Sequence, residues 1–274
     1  MSTRKRETSL TAATADKHDL YERAVQNVQA EIDFVDRTYK KRRGRAAVRL
    51  REDFCGTGNT SCEWVRRRAD NVAFGLDIDQ ATLDWGGQRH VGRLKPHQQE
   101  RVHLLNRDVL KPGDARHMDC ILAMNFSYWV FHQRAVMKEY FRSVRRSLAP
   151  DGLFFLDFYG GSEAFLEIEE KRKLKGFTYV WEQDKFNPIT GSVRCYIHFD
   201  FPDGTRMKRA FRYDWRVWTL PEMRDLLVEA GFGTVTVYWE GDDGNGGGNG
   251  VFRPTLRGDP CESFICYIVA EKGR

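Results

Sequence analysis

Five short apolar runs alternate with helical stretches between about residues 46 and 160, and this alternation constrains the fold more than any other feature. Strands that alternate with helices form a parallel sheet through right-handed crossovers. Two later runs add further strands. The sequence therefore predicts an α/β fold with a seven-stranded, mostly parallel sheet and helices on both faces. The seven runs are AAVRL (46–50), VAFGLDI (72–78), RVHLL (101–105), DCILAMNF (119–126), LFFLDFY (153–159), TVTVYWE (234–240) and ESFICYIVAE (262–271).

A second pattern interrupts this alternation at residues 177–218. Three runs, FTYVWEQDKF, SVRCYIHFDF and RMKRAFRYDWRVW, alternate at a two-residue period and are joined by the turns NPITG and PDG. We expect a three-stranded antiparallel meander, inserted after the fifth strand of a single domain at 19–274, where it would act as a lid. Residues 1–18 are expected to be a disordered tail, 19–42 one helix, and the glycine-rich stretch 241–250 a mobile loop.

Composition excludes several classes of protein. Hydrophobic residues make up 41% of the chain and aromatic residues 13%, so a large core can form and general disorder is excluded. No apolar run approaches the roughly 18 residues of a membrane-spanning helix, and the N-terminus lacks the apolar segment of a signal peptide. The six cysteines form no CxxC pair, which favours reduced thiols, no metal site and a cytoplasmic location. The net charge of +5 is too small and too scattered to indicate a nucleic-acid partner.

The stretch EDFCGTGNTS at 52–61 joins the first strand to a helix through a glycine turn. Ligands of open parallel sheets bind at the carboxyl ends of the strands, and three successive strands end close to an acid: Glu52, Asp77 and Asp108. An ionised carboxylate is a pure acceptor, so Asp77 at the second strand end suits the hydroxyl groups of a ribose. These three acids therefore predict one acidic crevice.

Glu52 bears on the kind of nucleotide. A dinucleotide places its pyrophosphate on the N-terminus of the first helix, and a carboxylate beside that turn would repel it by roughly 4 kcal/mol at 4 Å for an effective dielectric near 20. A ligand with ribose, adenine and positive charge but no phosphate would be attracted instead. S-adenosylmethionine (SAM) has these properties.

Several motifs carry a resemblance to a known family. LREDFCGTG, GLDID, NRDVL, SLAPDGLFFLDFYGG and WTLPEMRDLLVEAGF resemble the motifs of class I SAM-dependent methyltransferases, over about residues 19–271. The family turn reads acid-x-Gly-x-Gly-x-Gly. In this register Glu52 is the acid, Gly56 and Gly58 are the last two glycines, and Phe54 stands where the first glycine is expected. The resemblance implies a Rossmann-like fold with SAM as the cofactor.

The same resemblance implies a role for each matching position. Glu52 would orient the methionyl end of the cofactor. Asp77 would bind the ribose, with Ile78 against the adenine, while Asp108 would accept from the adenine amino group and Val109 would lie beside the ring. The implied cofactor-binding positions are Glu52, Cys55, Gly56, Thr57, Gly58, Asp77, Ile78, Asp108, Val109, Asn125 and Phe126.

The methyl acceptor is less closely defined. Methyl transfer is an in-line displacement that depends on alignment and exclusion of water, and only an O-acceptor needs a base. Candidates for the acceptor site are Asn125, Tyr128, His132 and Tyr159, with Asp157, Tyr179, His198 and Tyr213 as further lining residues.

A lidded site favours a small molecule with an N or O acceptor over a nucleic acid, and no membrane partner is expected. RNA or protein as the acceptor, a SAM-binding protein without catalysis, and a nicotinamide oxidoreductase are the alternatives. A homodimer is left open.

Overall fold

The computed structural model describes residues 10–244 and 247–273. These residues form two compact units. The first unit contains the described residues up to Gln26 together with Phe165–Val217, and the second contains Asn27–Ala164 and the described residues from Trp218 onward. The role of the inserted segment as a lid stays a prediction. Within the described part of the chain, no helix is both long enough and apolar enough to cross a membrane.

The strands and helices are numbered in chain order. The helices are α1 (Lys17–Val25), α2 (Val28–Arg43), α3 (Asn59–Arg67), α4 (Gln80–Arg89), α5 (Pro96–Gln99), α6 (Arg134–Ser147) and α7 (Leu220–Glu229). The strands are β1 (Arg49–Asp53), β2 (Val72–Asp77), β3 (Val102–Asn106), β4 (Met118–Ala123), β5 (Leu148–Gly160), β6 (Ile168–Leu174), β7 (Phe177–Asn187), β8 (Ser192–Asp200), β9 (Arg206–Arg216), β10 (Thr234–Asp242), β11 (Gly248–Thr255) and β12 (Phe264–Glu271).

The second unit is built on an eight-stranded sheet with the order β11-β10-β12-β5-β4-β1-β2-β3. Strands β1 to β5 pair in parallel, whereas β12, β10 and β11 continue the sheet in antiparallel pairing. The predicted α/β class with a mostly parallel central sheet is confirmed. The order reverses between β1 and β4, so the crevice expected of this topology lies at the carboxyl ends of those strands.

The predicted count of seven strands is wrong because of β11. Part of the stretch expected to be a mobile loop, 241–250, pairs in strands instead: Asp242 in β10 is opposite Gly248 in β11. Residues 245–246 lie outside the described part of the chain. Glycines have no side chains that could alternate between apolar and polar, but their backbone groups pair as those of any residue do. The sequence therefore gives no sign of this strand.

The first unit contains a second, four-stranded antiparallel sheet with the order β6-β7-β8-β9. The predicted meander corresponds to β7, β8 and β9, and the predicted count of three strands misses β6. Strand β6 has the sequence IEEKRKL and its five central residues are exposed, as is typical of a charged edge strand. Because it lacks the apolar alternation of a half-buried strand, its sequence does not indicate a strand.

The N-terminal segment departs from the prediction in two ways. Residues 1–9 of the expected disordered tail lie outside the described part of the chain, but Leu10 packs against the apolar cluster of the first unit and the Ala12 amide donates to Thr205 Oγ1 at 3.0 Å. The helix expected at 19–42 is two helices, α1 and α2. The Asn27 side chain accepts a hydrogen bond from the Ala30 amide and so caps the start of α2. Helix α1 has therefore ended before Asn27.

Candidate cofactor and acceptor site

The glycine turn between β1 and α3 contains three residues with left-handed backbone. The φ angles are +58° for Phe54, +53° for Gly56 and +67° for Gly58. A Cβ atom at Gly58 would lie 2.6 Å from Leu104 Cδ2, so a side chain there would require Leu104 to shift. Phe54 thus adopts the conformation that glycine favours, at the position where the family pattern has its first glycine.

Glu52 lies at the end of β1 and is only 7% exposed. Its Oε2 accepts from the amide of Ser61 at 3.0 Å and from the Ser61 hydroxyl at 2.7 Å, in the first turn of α3. Burial raises the pKa of Glu52 to about 7, against the lowering effect of hydrogen bonds from Ser61 and Thr60. A carboxylate therefore binds where a dinucleotide would place its pyrophosphate on the helix amides.

Arg51 does not neutralise Glu52. Successive side chains of β1 point to opposite faces of the sheet, so Arg51 and Asp53 share the face that Glu52 does not. The buried Arg51 guanidinium donates from Nη2 to Asp53 Oδ2 at 3.0 Å and from Nη1 to the Ala115 carbonyl at 3.0 Å. The Tyr140 hydroxyl donates to the same Asp53 oxygen at 2.9 Å. This arrangement leaves the charge of Glu52 available to a cationic ligand.

Asp77 ends β2 directly opposite the glycine turn. Its Oδ2 accepts from the Gly56 amide at 2.8 Å, and its Oδ1 accepts from the Asp79 amide at 2.9 Å. The next side chain, Ile78, is 77% exposed although it is aliphatic. The Asn106 side chain holds this position by donating to the Ile78 carbonyl at 2.9 Å. The structure thus places a carboxylate beside an exposed apolar side chain, and the ribose and adenine roles of Asp77 and Ile78 stay predictions.

Asn106 is a residue that the sequence analysis missed. It ends β3 in register with Asp77, so its amide can reach the end of the neighbouring strand. An Asn at the carboxyl end of a parallel strand is the signal that could have indicated it.

The remaining predicted cofactor positions differ in how much of the side chain is accessible. Asp108 is exposed and its Oδ1 accepts from the Leu110 amide at 2.8 Å, whereas Val109 is buried. Cys55 and Thr57 are also buried, and burial raises the pKa of the Cys55 thiol well above its usual range. A ligand at the turn would therefore meet Cys55 and Thr57 chiefly through their backbone.

A second corner follows β4. Asn125 and Phe126 both have left-handed backbone, with φ of +56° and +55°. The Asn125 amide donates to Asp157 Oδ2 at 2.7 Å, and the Phe126 amide donates to Asp157 Oδ1 at 3.0 Å. Burial raises the pKa of Asp157, on β5, to about 7. The two predicted residues are therefore held together by a carboxylate.

The other three acceptor-site candidates on this unit differ in their surroundings. The ring of Tyr159 lies 5.9 Å from that of Phe126, so these two side chains share one aromatic cluster. Tyr128 is fully buried and its hydroxyl donates to the Asp157 carbonyl at 2.6 Å, so its predicted catalytic role is not supported. His132 is exposed, in the segment between a short 3-10 helix (Ser127–Val130) and α6.

The candidates on the first unit are engaged within that unit. His198 Nε2 lies 2.6 Å from Glu182 Oε2, and its Nδ1 accepts from the Arg209 amide at 3.0 Å, so both ring nitrogens are occupied. Tyr179 and Tyr213 pack into the apolar cluster with α1. Among the described residues there is no group of three or more His, Cys, Asp or Glu side chains that could hold a metal ion.

Comparison with known proteins identifies the class of protein that this fold and site define. Residues 55–154 match the family model described as a methyltransferase domain. This match indicates a methyltransferase domain at residues 55–154, and the solved structures of similar fold confirm the predicted Rossmann-like fold. SAM as the cofactor stays a prediction. None of the curated protein sequences matches the chain.

Three similar solved structures have low sequence identity and nearly complete coverage. A SAM-dependent methyltransferase from Clostridium acetobutylicum is 17% identical, with a TM-score of 0.69 over 94% of this chain and 98% of its own. The amino pentose methyltransferase CalS10 from Micromonospora echinaspora, solved with SAM bound, is 17% identical, with a TM-score of 0.65 over 93% of this chain and 95% of its own. The sugar N-methyltransferase KedS8 from a Streptoalloteichus species is 18% identical, with a TM-score of 0.63 over 100% of this chain and 98% of its own.

Proposed function

We propose that this chain transfers the methyl group of SAM to an amine nitrogen of a small molecule, an amino sugar or a related glycoside. The observation that carries the proposal is the position of Glu52, whose carboxylate accepts from Ser61 on the N-terminal turn of α3. This position disfavours a phosphate and favours a cation, and SAM carries an ammonium and a sulfonium. Bound SAM supplies a methyl group that is already activated by its sulfonium.

The residues that would hold the cofactor have complementary chemistry. Glu52 would bind the ammonium group, while Asp77, fixed by the Gly56 amide, would accept from the ribose hydroxyls. The exposed Ile78 would cover one face of the adenine, and Asp108 would accept from its amino group. The left-handed glycines let the turn backbone approach the ligand closely, because they carry no Cβ.

The acceptor is proposed to be an amine because one acceptor-site candidate, Tyr128, is not available to take a proton. An O-acceptor must lose a proton to a base, whereas an amine needs only to arrive neutral. The Tyr128 hydroxyl is committed to a backbone carbonyl, and burial raises the pKa of Tyr128 well above its usual range. Support also comes from the solved structures of similar fold, two of which are a sugar N-methyltransferase and a glycopeptide N-methyltransferase.

The cofactor is tested by titration calorimetry of SAM and NAD⁺ into the purified chain. We expect SAM to bind and NAD⁺ not to bind. Glu52→Gln should weaken SAM binding about tenfold, the scale of one charge-assisted hydrogen bond. Glu63→Gln is the matched control, because Glu63 lies on α3, the helix whose first turn donates to Glu52, but pairs with Arg67, and it should leave SAM affinity unchanged. Tighter binding of NAD⁺ than of SAM would contradict the proposal.

The acceptor is tested with matched pairs of sugars that differ only in an amine or a hydroxyl at one carbon. Labelled methyl from SAM should appear in the amino sugar, with one S-adenosylhomocysteine formed for each methyl transferred. Equal or faster transfer to the hydroxyl member of each pair would show that the acceptor is oxygen. Transfer only to RNA or protein in a size-fractionated extract would show that the acceptor is a polymer.

A further inference from the structure

One carboxylate, that of Asp157, shapes the corner after β4. Each of its two oxygens accepts one hydrogen bond from a backbone amide, that of Asn125 at 2.7 Å and that of Phe126 at 3.0 Å. Asp157 is only 8% exposed and lies within β5, where it is paired with Tyr267 of β12. The Tyr128 hydroxyl donates to its carbonyl at 2.6 Å. The carboxylate is therefore fixed by the sheet and itself fixes the corner.

The Asn125–Phe126 corner needs an acceptor such as the Asp157 carboxylate to keep its conformation. Two consecutive non-glycine residues with φ near +55° are unusual, and each is strained relative to ordinary backbone. Adjacent amides in this conformation point in similar directions, and a single anion can satisfy both of them. Without the Asp157 carboxylate, two partly buried donors would lose their acceptors and the corner would relax to a conformation of lower strain.

We propose that Asp157 is a positioning residue for methyl transfer, which holds the Asn125–Phe126 corner in the one backbone conformation that aligns the acceptor with the methyl group. This role rests on the proposed function, because it assigns the corner to the acceptor site. Asp157 acts through the backbone of the corner and does not itself touch the substrate. Misalignment lowers the rate of the chemical step more than it lowers the affinity for the cofactor.

The protonation state of Asp157 should therefore affect the rate. Burial raises its pKa to about 7, and the charge of Glu31 on α2 raises it further. The other titratable groups facing it are Tyr128, and Cys266 and Tyr267 on β12, each with its pKa raised by burial and by the charge of Asp157. Protonation of Asp157 puts a hydrogen on one carboxylate oxygen and so breaks one of the two hydrogen bonds from the backbone amides. The active form is thus the ionised form, present above about pH 7.

The test compares Asp157→Asn with a matched control. The Asn side chain has one acceptor oxygen and presents an NH₂ to the second amide, so we expect kcat to fall tenfold or more while SAM affinity changes less than threefold. The wild-type rise of kcat between pH 6 and 8 should disappear. Asp119→Asn is the control, because Asp119 Oδ2, on β4, also accepts hydrogen bonds from two consecutive amides, those of Val48 and Arg49 at the start of β1. It should lower stability without changing kcat. Unchanged kcat in Asp157→Asn would overturn the assignment.

A second variant separates positioning from misfolding. Glycine adopts left-handed backbone without strain, so Asn125→Gly makes the corner less dependent on Asp157. In the Asn125→Gly background, Asp157→Asn should reduce kcat at least threefold less than it does in the wild type. Equal effects in both backgrounds would show that Asp157 does not act through the backbone at this position.

A further measurement needs no turnover. The amide proton shifts of Asn125 and Phe126 in the free protein should titrate together near pH 7 and stay constant in Asp157→Asn. Wild-type shifts that are constant between pH 6 and 8 would overturn the inference. Absence of methyl transfer by the wild type to any amine, with these amides titrating as expected, would instead reject the proposed function alone.

Discussion

A Cβ atom at Gly86 would lie 2.0 Å from the carbonyl oxygen of Thr57, so helix α4 packs directly on the glycine turn. Because the obstacle is backbone, no side-chain rotation can relieve it. Gly86→Ala should therefore displace the turn and lower the free energy of unfolding by more than 2 kcal/mol, within the range of overpacking. SAM affinity should fall at least tenfold, since the turn amide of Gly56 orients Asp77.

The neighbouring glycine of the same helix is the control for Gly86→Ala. Nothing lies within 4 Å of a Cβ atom built at Gly87. Alanine is a better helix former than glycine, so Gly87→Ala should stabilise the protein by about 0.5–1 kcal/mol and leave SAM affinity unchanged. Denaturant unfolding and calorimetry measure both quantities. Similar losses of stability in the two variants would show that helix α4 does not rest on the turn.

The left-handed backbone of Phe54 leads to an unusual order of stabilities. Its ring packs on Phe131 and Tyr140, with ring centres 5.9 and 5.8 Å away, so removal of the ring is destabilising. A φ of +58° is strained for alanine and unstrained for glycine. Phe54→Gly should therefore be more stable than Phe54→Ala by about 1 kcal/mol, the reverse of the order in ordinary helices and strands.

Urea unfolding of the wild type and of both Phe54 variants measures this order. Phe131→Ala and Phe131→Gly supply the comparison, because the φ of Phe131 is −83°, where glycine has no advantage. At Phe131 the alanine variant should be the more stable one. The same order at both positions would mean that Phe54 does not need left-handed backbone.

The parts of the site that lie at strand ends could be predicted from the sequence. Glu52 and Asp77 each follow an apolar run, and parallel strands bring their carboxyl ends to one edge of the sheet. The structure places both acids against the same glycine turn, through Ser61 and Gly56. This part of the site depends only on where the strands end and on their parallel order. Both follow from the alternation of apolar runs and helical stretches along the sequence.

The rest depends on contacts between distant residues, which local pattern does not contain. Tyr128 follows an apolar run and Asp157 lies within one, yet the Tyr128 hydroxyl donates to a carbonyl 29 positions away, and Asp157 accepts from amides 31 and 32 positions away. Strands β6 and β11 were missed for a related reason. Their place in the sheets comes from backbone pairing, and their charged or glycine-rich sequences show no alternation.

The exposed side chain of Ile78 should contribute to ligand binding and not to folding. It is 77% exposed, so Ile78→Ser should change the free energy of unfolding by less than about 0.5 kcal/mol. Loss of its contact with the adenine should weaken SAM binding by about 1 kcal/mol, or roughly fivefold. Ile189, which is 93% exposed in a hairpin turn, is the matched control, and Ile189→Ser should alter neither quantity. Unchanged SAM affinity in Ile78→Ser would remove Ile78 from the site.

The raised pKa of Glu52 predicts how the stability of the free protein depends on pH. Burial holds this pKa at about 7, above its ordinary value of 4.5, so the folded state binds the proton more tightly than the unfolded state does. The free energy of unfolding should therefore fall as the pH rises from about 4 to about 7. Glu52→Gln removes the group, so its stability should exceed that of the wild type at pH 8 by on the order of 1–3 kcal/mol.

SAM affinity should show the opposite dependence on pH. The cationic ligand binds the ionised form of Glu52, whose pKa is about 7, so the dissociation constant should decrease as the pH rises from 5.5 to 7 and level off above. The decrease should approach tenfold per pH unit at the acid end. In Glu52→Gln the dissociation constant should be independent of pH over this range, and calorimetry at constant ionic strength measures it. A wild-type affinity that weakens as the pH rises would mean that Glu52 binds the ligand in its protonated form, as a hydrogen-bond donor.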